Sequence, residues 1–378
     1  MKVTLNRECF LQELSVVQRA ITGKTTIQIL TGVKIVLTTE GLYLTGSNGD
    51  ISIESYIANN DSKANMVITD TGSIVLPARF FSEIVRKLPE QEFTLVTDDY
   101  FSAEITSGSA KFTLNGFDAN EYPQLPVIEQ NNLLQIPVKL LNQMINETTF
   151  AASNQESRPI LTGVHFTLNE GLFKAVATDS HRLSQRILPM DQQSNQFDMI
   201  VPAKSLLELS KAFHDGEEFV EISAVDNQVL FKTKSVSFYS RLLEGIYPDT
   251  DRLIPEHFEI SAIFDGPQLL AAIERASLMS HEGGRTNNIV QLSIHGEEAT
   301  LRGNSPAIGN VEEHMTLTEI SGGDLTIAFN PDYMRVALKA IGNEKVKIQF
   351  ISAVRPFTLQ PANSDINFIQ LITPVRTN

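Results

Sequence analysis

The sequence predicts an α+β fold made of three repeated modules, each with two helices on antiparallel sheets. Three observations predict it. First, one segment is stated three times: Ile74-Val75-Leu76-Pro77-Ala78-Arg79-Phe80-Phe81, then Ile200-Val201-Pro202-Ala203-Lys204-Ser205-Leu206-Leu207, then more loosely Ala328-Phe329-Asn330-Pro331-Asp332-Tyr333-Met334. Its prolines stand 125 and 129 residues apart, a period that fits a repeated domain and not a solenoid unit. Second, other landmarks keep step. Leu30-Thr31-Gly32-Val33 returns as Leu161-Thr162-Gly163-Val164, and Glu121-Tyr122-Pro123 as Ile246-Tyr247-Pro248. Third, each copy passes from helical to alternating periodicity in the same order. The repeat divides the 378 residues into modules at 1–125, 126–250 and 251–378, each of a size that buries its own core.

Each module opens with an amphipathic helix, at 7–24, 137–150 and 265–279. In the first, Phe10, Leu11, Leu14, Val17 and Ile21 recur at spacings of three and four and share a face. Leu140, Leu141, Met144 and Ile145 do so in the second, and Leu269, Leu270 and Ile273 in the third. Hairpins follow. Val33 to Leu37 alternates, turns at Thr38-Thr39-Glu40-Gly41 and returns as Leu42-Tyr43-Leu44; Val164 to Leu168 turns at Asn169-Glu170-Gly171 and returns through Ala175. The proline-started helices are expected at 77–88, 202–213 and 330–341, with proline in the first turn, where its missing N–H costs nothing. Two more strands close each unit, as at Glu217 to Ala224 and Gln228 to Thr233 around Asp226-Asn227. With 21 Phe and no Trp, the aromatics read as core; Phe231, Ser237 and Phe238 belong to inward-packing strands.

Composition narrows the class. Hydrophobic residues make up 42% and charged residues 20%, and no segment reaches the roughly 18 consecutive apolar residues of a membrane span. The opening Met1 to Glu8 lacks the apolar centre of a signal peptide. A single cysteine, Cys9, supports neither a disulfide framework nor a thiolate metal site. The chain reads as a cytoplasmic globular protein. Its net charge of −15 argues at first against a nucleic-acid partner, but the charge is unevenly placed. The proline-started helices carry seven bases (Arg79, Arg86, Lys87, Lys204, Lys211, Arg335, Lys339) and three acids (Glu83, Glu208, Asp332), and the opening helices five of each sign. The helices therefore sum to +4 and the remainder to −19. Lys and Arg are also good helix formers, so charge alone does not choose between a basic working surface and simple propensity.

Several motifs suggest chemistry and fail on inspection. Thr22-Gly23-Lys24-Thr25-Thr26 resembles the end of a phosphate-binding loop, but that loop needs glycine where Gln18 stands, and it joins a strand to a helix. Asp179-Ser180-His181-Arg182 suggests acid–base or metal chemistry. The seven histidines (165, 181, 214, 257, 281, 295, 314) are scattered without a paired spacing. No Gly-x-Ser-x-Gly elbow is present, and Cys9 has no base close by in sequence. The expectation is a protein with no catalytic residues, no metal and no cofactor.

Against that background, the residues Ala177-Thr178-Asp179-Ser180-His181-Arg182-Leu183, Ser157-Arg158-Pro159-Ile160-Leu161-Thr162-Gly163, Ile200-Val201-Pro202-Ala203-Lys204, Tyr247-Pro248-Asp249 through Leu253-Ile254-Pro255, and Thr373-Pro374-Val375-Arg376 carry a resemblance. The chain resembles the bacterial sliding clamps, the β subunits of DNA polymerase III, over essentially its whole length. The resemblance implies half of a closed, homodimeric ring, with helices lining a hole for duplex DNA and sheets outside. It implies a non-catalytic processivity factor in DNA replication. Its implied partners are sequence-independent duplex DNA, the replicative polymerase, the clamp loader and repair proteins, the proteins docking through short linear motifs. Carried over by position, it assigns DNA contact to Lys24, Gln155 and Lys204, with Arg79 and Lys211. It assigns a peptide pocket to Leu161, Thr178, Ser180, His181, Arg182, Leu183, Pro248, Arg252, Leu253, Asn330, Tyr333, Val354, Pro356, Thr373, Pro374, Val375 and Arg376. It assigns the dimer joint to Lys111, Phe112 and Leu114 on one side and Leu278, Met279, Glu312 and Glu313 on the other.

The chain departs from the family pattern in three places. Where members often end Met-Pro-Met-Arg-Leu, it reads Ile372-Thr373-Pro374-Val375-Arg376-Thr377-Asn378. Pro159 and Ile160 stand where some members place aromatics near DNA, and the loop Ser280-His281-Glu282-Gly283-Gly284-Arg285 lacks the aromatic that some relatives hold beside the pocket. Two readings compete with the clamp: a repeat scaffold that binds proteins without encircling DNA, and a hydrolase or nuclease, which the missing carboxylate–histidine constellation disfavours.

Overall fold

The structure, a computed structural model, describes residues 1–126, 128, 134–190, 196–214, 216–280, 288–305, 309–363 and 367–376. Residues His281 to Arg285 of the loop noted above, and Thr377 and Asn378, lie outside the described residues. The first repeat contains β1 (Lys2–Asn6), α1 (Arg7–Val17), β2 (Gly32–Leu37), β3 (Gly41–Ser47), β4 (Ile51–Ala58), β5 (Val67–Asp70), β6 (Gly72–Pro77), α2 (Ala78–Arg86), β7 (Glu92–Thr97), β8 (Ser102–Ser107) and β9 (Ala110–Asn115). The second contains β10 (Leu134–Pro137), α3 (Val138–Thr148), β11 (Gly163–Asn169), β12 (Leu172–Thr178), β13 (Arg182–Pro189), β14 (Phe197–Pro202), α4 (Ala203–Leu209), β15 (Phe219–Val225), β16 (Gln228–Lys232) and β17 (Val236–Arg241). The third contains β18 (Ile260–Phe264), α5 (Gly266–Ser280), β19 (Val290–His295), β20 (Glu298–Ser305), β21 (Gly309–Thr316), β22 (Glu319–Ser321), β23 (Leu325–Phe329), α6 (Pro331–Ile341), β24 (Val346–Phe350), β25 (Phe357–Pro361) and β26 (Phe368–Ile372).

Side-chain caps mark the starts of α1, α5 and α6. The Asn6 side chain accepts the Glu8 and Cys9 N–H groups at 2.9 and 3.1 Å, and Asp265 accepts that of Gln268 at 2.9 Å. The prolines, alike in the sequence, are not equivalent in the fold. Pro77 and Pro202 close their strands just outside the helix, whereas Pro331 lies inside α6 behind Asn330, whose side chain accepts the Asp332 N–H at 2.8 Å. An Asn that caps leaves the next position to proline, so the three helices correspond at Ala78, Ala203 and Pro331. Two helices are also shorter than their periodicity suggests. α1 ends at Val17 and passes through a 3₁₀ turn, Gln18–Ala20, leaving Ile21 extended; Ile21, Thr22 and Gly23 are poor helix formers. α4 stops at Leu209, and Lys211 sits in a turn, bonding back to the Glu208 carbonyl.

The chain packs as two compact units, Met1–Asn142 with Lys204–Leu242, and Gln143–Ala203 with Leu243–Asn378. In the first, α1, α2 and α4 accompany a five-stranded sheet, β5-β1-β7-β8-β9, and an eight-stranded one, β10-β15-β16-β17-β4-β3-β2-β6. Phe10 meets Phe81 and Phe93 edge to face at 5.6 and 5.2 Å in its core. In the second, α5 and α6 accompany a nine-stranded sheet, β14-β11-β12-β13-β26-β25-β24-β18-β22, and a four-stranded one, β21-β20-β19-β23. Phe357 lies 5.6 Å from Phe329 and 5.4 Å from Phe350 there. One detail recurs in both units. A Cβ on Gly46 of β3 would fall 2.3 Å from the Val17 carbonyl of α1, and one on Gly303 of β20 would fall 2.6 Å from the Ala276 carbonyl of α5. At both places the opening helix lies on the sheet too closely for any side chain.

The joints between repeats follow one rule. β17 of the second repeat pairs antiparallel with β4 of the first, setting Phe238 opposite Ile53. β26 of the third pairs the same way with β13 of the second, setting Leu371 opposite Leu183. The corresponding strands left over, β9 of the first repeat and β21 of the third, are sheet edges.

Candidate functional site

Two surfaces and two sheet edges carry the residues singled out by the sequence. The first is the helix layer of the first unit. Arg79 of α2 is exposed and meets Glu83 at 3.4 Å. Glu208 of α4 is shared by Arg19 and Lys211, each at 3.5 Å. Those pairs leave Lys24 and Lys204, both exposed, without a carboxylate among the described residues. Lys24 sits in the turn after α1, its N–H donating to Thr22 Oγ1 at 3.2 Å. Gln155 belongs to the second unit, exposed in a turn where its N–H donates to Ser153 Oγ at 3.0 Å. Such exposed cations can meet phosphates.

The second surface surrounds the β12–β13 turn. Asp179 organises it, its Oδ1 accepting the N–H groups of His181 and Arg182 at 2.9 and 3.0 Å while Oδ2 holds Arg182 Nε at 3.0 Å. The Arg182 guanidinium lies over the Tyr333 ring of α6 at 4.7 Å and over Phe150 at 5.8 Å. Ser180, at φ +78°, accepts from Arg158 Nη1 at 3.2 Å. Beneath the turn Leu161, Leu183 and Leu371 cluster with Val176, Ile200 and Tyr247. The C-terminal segment crosses here: the Thr373 N–H donates to the His181 carbonyl at 2.9 Å, and that of Val375 to the Ala328 carbonyl at 2.8 Å. Leu253 and Val354 are exposed, Pro356 and Pro374 half-buried, and Pro248 and Arg376 exposed. Arg252 pairs locally with Asp249 at 2.9 Å.

Tyr247 is the keystone of the floor. Its hydroxyl accepts the Thr178 N–H at 3.1 Å, and its ring stacks on His165 at 4.9 Å. Burial pushes the hydroxyl up to about 12 from its ordinary 10.0. Tyr247→Phe strands a buried N–H and is expected to cost about 1–3 kcal/mol in chemical denaturation at neutral pH. A group whose folded pKa is raised contributes fully below its unfolded value and loses that contribution as pH climbs through the folded one. The wild type is therefore expected to weaken between pH 10 and about 12, and the variant to show a flatter alkaline limb; parallel limbs would contradict it.

The remaining residues lie on the two open edges, one in each unit. On β9 Lys111 and Phe112 are exposed and Leu114 half-buried; Lys111 holds Glu104 at 2.7 Å. On the other side Leu278 is 66% exposed at the end of α5, with Met279 half-buried beside it. Glu312 of β21 pairs with Arg302 at 2.8 Å, and Glu313 binds Arg275 through two 2.6 Å hydrogen bonds. Phe238, which holds the position of Phe112 at the closed β17–β4 joint, is fully buried, whereas Phe112 is 39% exposed.

Family models for the N-terminal, central and C-terminal domains of the DNA polymerase III beta subunit match residues 1–126, 135–249 and 251–376. The chain belongs to that family. It is 48% identical to the beta sliding clamp of Streptococcus pneumoniae R6, over 99% of both chains. The solved DNA polymerase III beta chain of Streptococcus pneumoniae TIGR4 is 47% identical and superposes over all of both chains with a TM-score of 0.96. A Pseudomonas aeruginosa clamp solved bound to griselimycin, 26% identical, matches over the same extent at 0.92. The function is that of a DNA sliding clamp.

Sequence reasoning about the clamp's β12–β13 turn named Arg182 but not what holds it. Asp179 was within reach, since it stands three residues before Arg182. Phe150 and Leu371 come from distant segments and carry no local signal, and Tyr247, though a repeated landmark, gives no sign in the sequence of its contact with Thr178.

Proposed function

We propose that two copies of this chain join head to tail into a ring around duplex DNA, holding the replicative polymerase on it without chemistry of their own. The modules 1–125, 126–250 and 251–378 are then the repeating segments of that ring. The observation that carries this reading is the pair of open edges. An unpaired edge is a template for another chain, and both internal joints support the same kind of pairing between copies, β9 of one on β21 of the other. Made twice about a two-fold axis, that contact closes.

The repeat supports one register for that pairing. Gly46 and Gly303 are equivalent and stand opposite Ile53 and Val311, so Glu312 corresponds to Glu54. Gly116 and Leu242 each bond back to the preceding hairpin tip, at Phe101 and Asn227, so Phe112 corresponds to Phe238 and Lys111 to Ser237. Ser237 faces Glu54 at the β17–β4 joint. Lys111 of one copy therefore faces Glu312 of the second, and Phe112 faces Val311.

DNA on this reading meets Lys24, Arg79, Gln155, Lys204 and Lys211 through phosphates alone, which carry no sequence information. Lys24→Ala with Lys204→Ala is expected to impair loading and processivity while the sedimentation mass stays that of the dimer. Binding of short duplexes should be weak and steeply salt-dependent; a clear sequence preference would overturn the sliding reading. The groove at the β12–β13 turn takes short linear peptides of the polymerase, clamp loader and repair proteins, apolar walls giving affinity and Arg182, His181 and Arg376 fixing polar groups. The griselimycin-bound relative supports a ligand surface on clamps of this fold. Its working place is the cytoplasm, where the DNA is.

A further inference from the structure

The bases of the helix layer are not alike. In the third repeat α5 and α6 carry Glu274, Arg275, Asp332, Arg335 and Lys339, and every base among them is matched. Lys339 meets Glu274 at 2.8 Å, Arg335 meets Asp332 at 3.0 Å, and Arg275 meets Glu313 through two 2.6 Å bonds. The Lys339 ammonium holds the Glu274 carboxyl below its usual range, and Glu313 raises Arg275. In the first unit α2 carries Arg79 and Arg86 against Glu83, with Lys87 following, and α4 carries Lys204 against Glu208. Arg86 there donates to Ser82 Oγ at 3.5 Å, and Arg86, Lys87, Lys24 and Lys204 have no carboxylate partner among the described residues.

We infer that each copy holds the duplex with the helix layer of its first unit, Arg86 included, and that α5 and α6 are self-neutralised so that the third repeat lets DNA pass without gripping it. The inference rests on the ring reading and says which face of the ring does the holding. Attraction to DNA comes from releasing condensed counterions, and only a base free to replace them contributes. A cation 3 Å from a carboxylate presents a dipole, whose field fades well within the Debye length of about 8 Å at physiological salt. Exposed pairs of this kind add only about 0–1 kcal/mol to folding, so cancelling charge is their larger effect. A ring gripping with every segment would resist sliding; one with a neutral third segment meets fewer phosphates at any instant.

The test is the salt dependence of short-duplex binding by the full-length dimer, read by fluorescence anisotropy, with sedimentation confirming the dimer for each variant. Arg86→Ala is expected to lower the slope of log K against log salt by about 0.9 for each phosphate no longer neutralised. The charge-balanced double variant Glu274→Gln with Lys339→Gln should leave it unchanged. Glu274→Gln alone frees Lys339 and should steepen it by a similar amount. A fall in slope in the double variant equal to that of Arg86→Ala overturns the division of labour and leaves the ring reading standing. No change in any variant, Arg86→Ala and Lys204→Ala included, means the helices do not meet phosphates, and both readings fall.

Discussion

Leu278→Asp with Met279→Asp is expected to convert the dimer into monomers, seen by sedimentation equilibrium as a mass of 41.9 kDa in place of twice that value. Leu278 is two-thirds exposed in the single chain, and Phe112 presents over a third of its surface on the edge strand β9. Burying one large apolar side chain contributes roughly 1.5–3 kcal/mol, and a ring carries the joint twice. A carboxylate placed in that contact would be desolvated without a partner, since Arg275 is already committed to Glu313 and Arg302 to Glu312. The single chain should keep its fold, because Leu278 is not part of the Phe329–Phe357 core. An unchanged mass would exclude this surface as the joint, and the β9–β21 register with it.

What the sequence made legible follows from where the information lies. The threefold repeat shows because its prolines recur at nearly constant offsets, and the Leu-Thr-Gly-Val and Tyr-Pro landmarks keep step with the first two. Helix ends were less legible: Ile21 satisfies the apolar spacing of α1, yet the run Ile21-Thr22-Gly23 cannot sustain a helix. The prolines looked equivalent because a cap position and a first-turn position read alike until Asn330 is seen accepting the Asp332 N–H. Sheet continuity across repeats was illegible, since β17 and β4 lie far apart in sequence and their pairing has no local mark. The same holds for the charge layer. Counting bases on the helices gave a positive sum, but whether Lys339 is free or spent on Glu274 is decided by the packing of α6 on α5. Around Arg182 the local partner Asp179 was within reach, and the ring faces of Phe150 and Tyr333 were not.

Deleting Pro374 to Asn378 is expected to abolish peptide binding while leaving the dimer intact. The wild type should bind a peptide with a Gln anchor followed by Leu and Phe at roughly micromolar strength, about 8 kcal/mol in all, as short flexible ligands do after the cost of ordering them. The described part of the deleted segment runs from the β12–β13 turn toward the end of β23. The Thr373 N–H is tied to His181 on the β12–β13 turn, and the Val375 N–H to Ala328 at the end of β23, two residues before Asn330. Cutting after Thr373 removes the second tie and with it Pro374, Val375 and Arg376, which the proposed pocket assigns to the peptide. The Leu161–Leu183–Tyr247 cluster lies in the floor and should persist. The cost to folding should stay near the roughly 1 kcal/mol of one backbone hydrogen bond, because β26 ends at Ile372 and keeps its pairing to β13. Calorimetry with the same peptide on both proteins decides the matter: equal affinity for truncated and full-length chains would move the pocket elsewhere. Arg182→Ala separates tail from anchor. It leaves the tail in place but removes the cation held over Tyr333, and is expected to weaken the peptide about tenfold without abolishing binding.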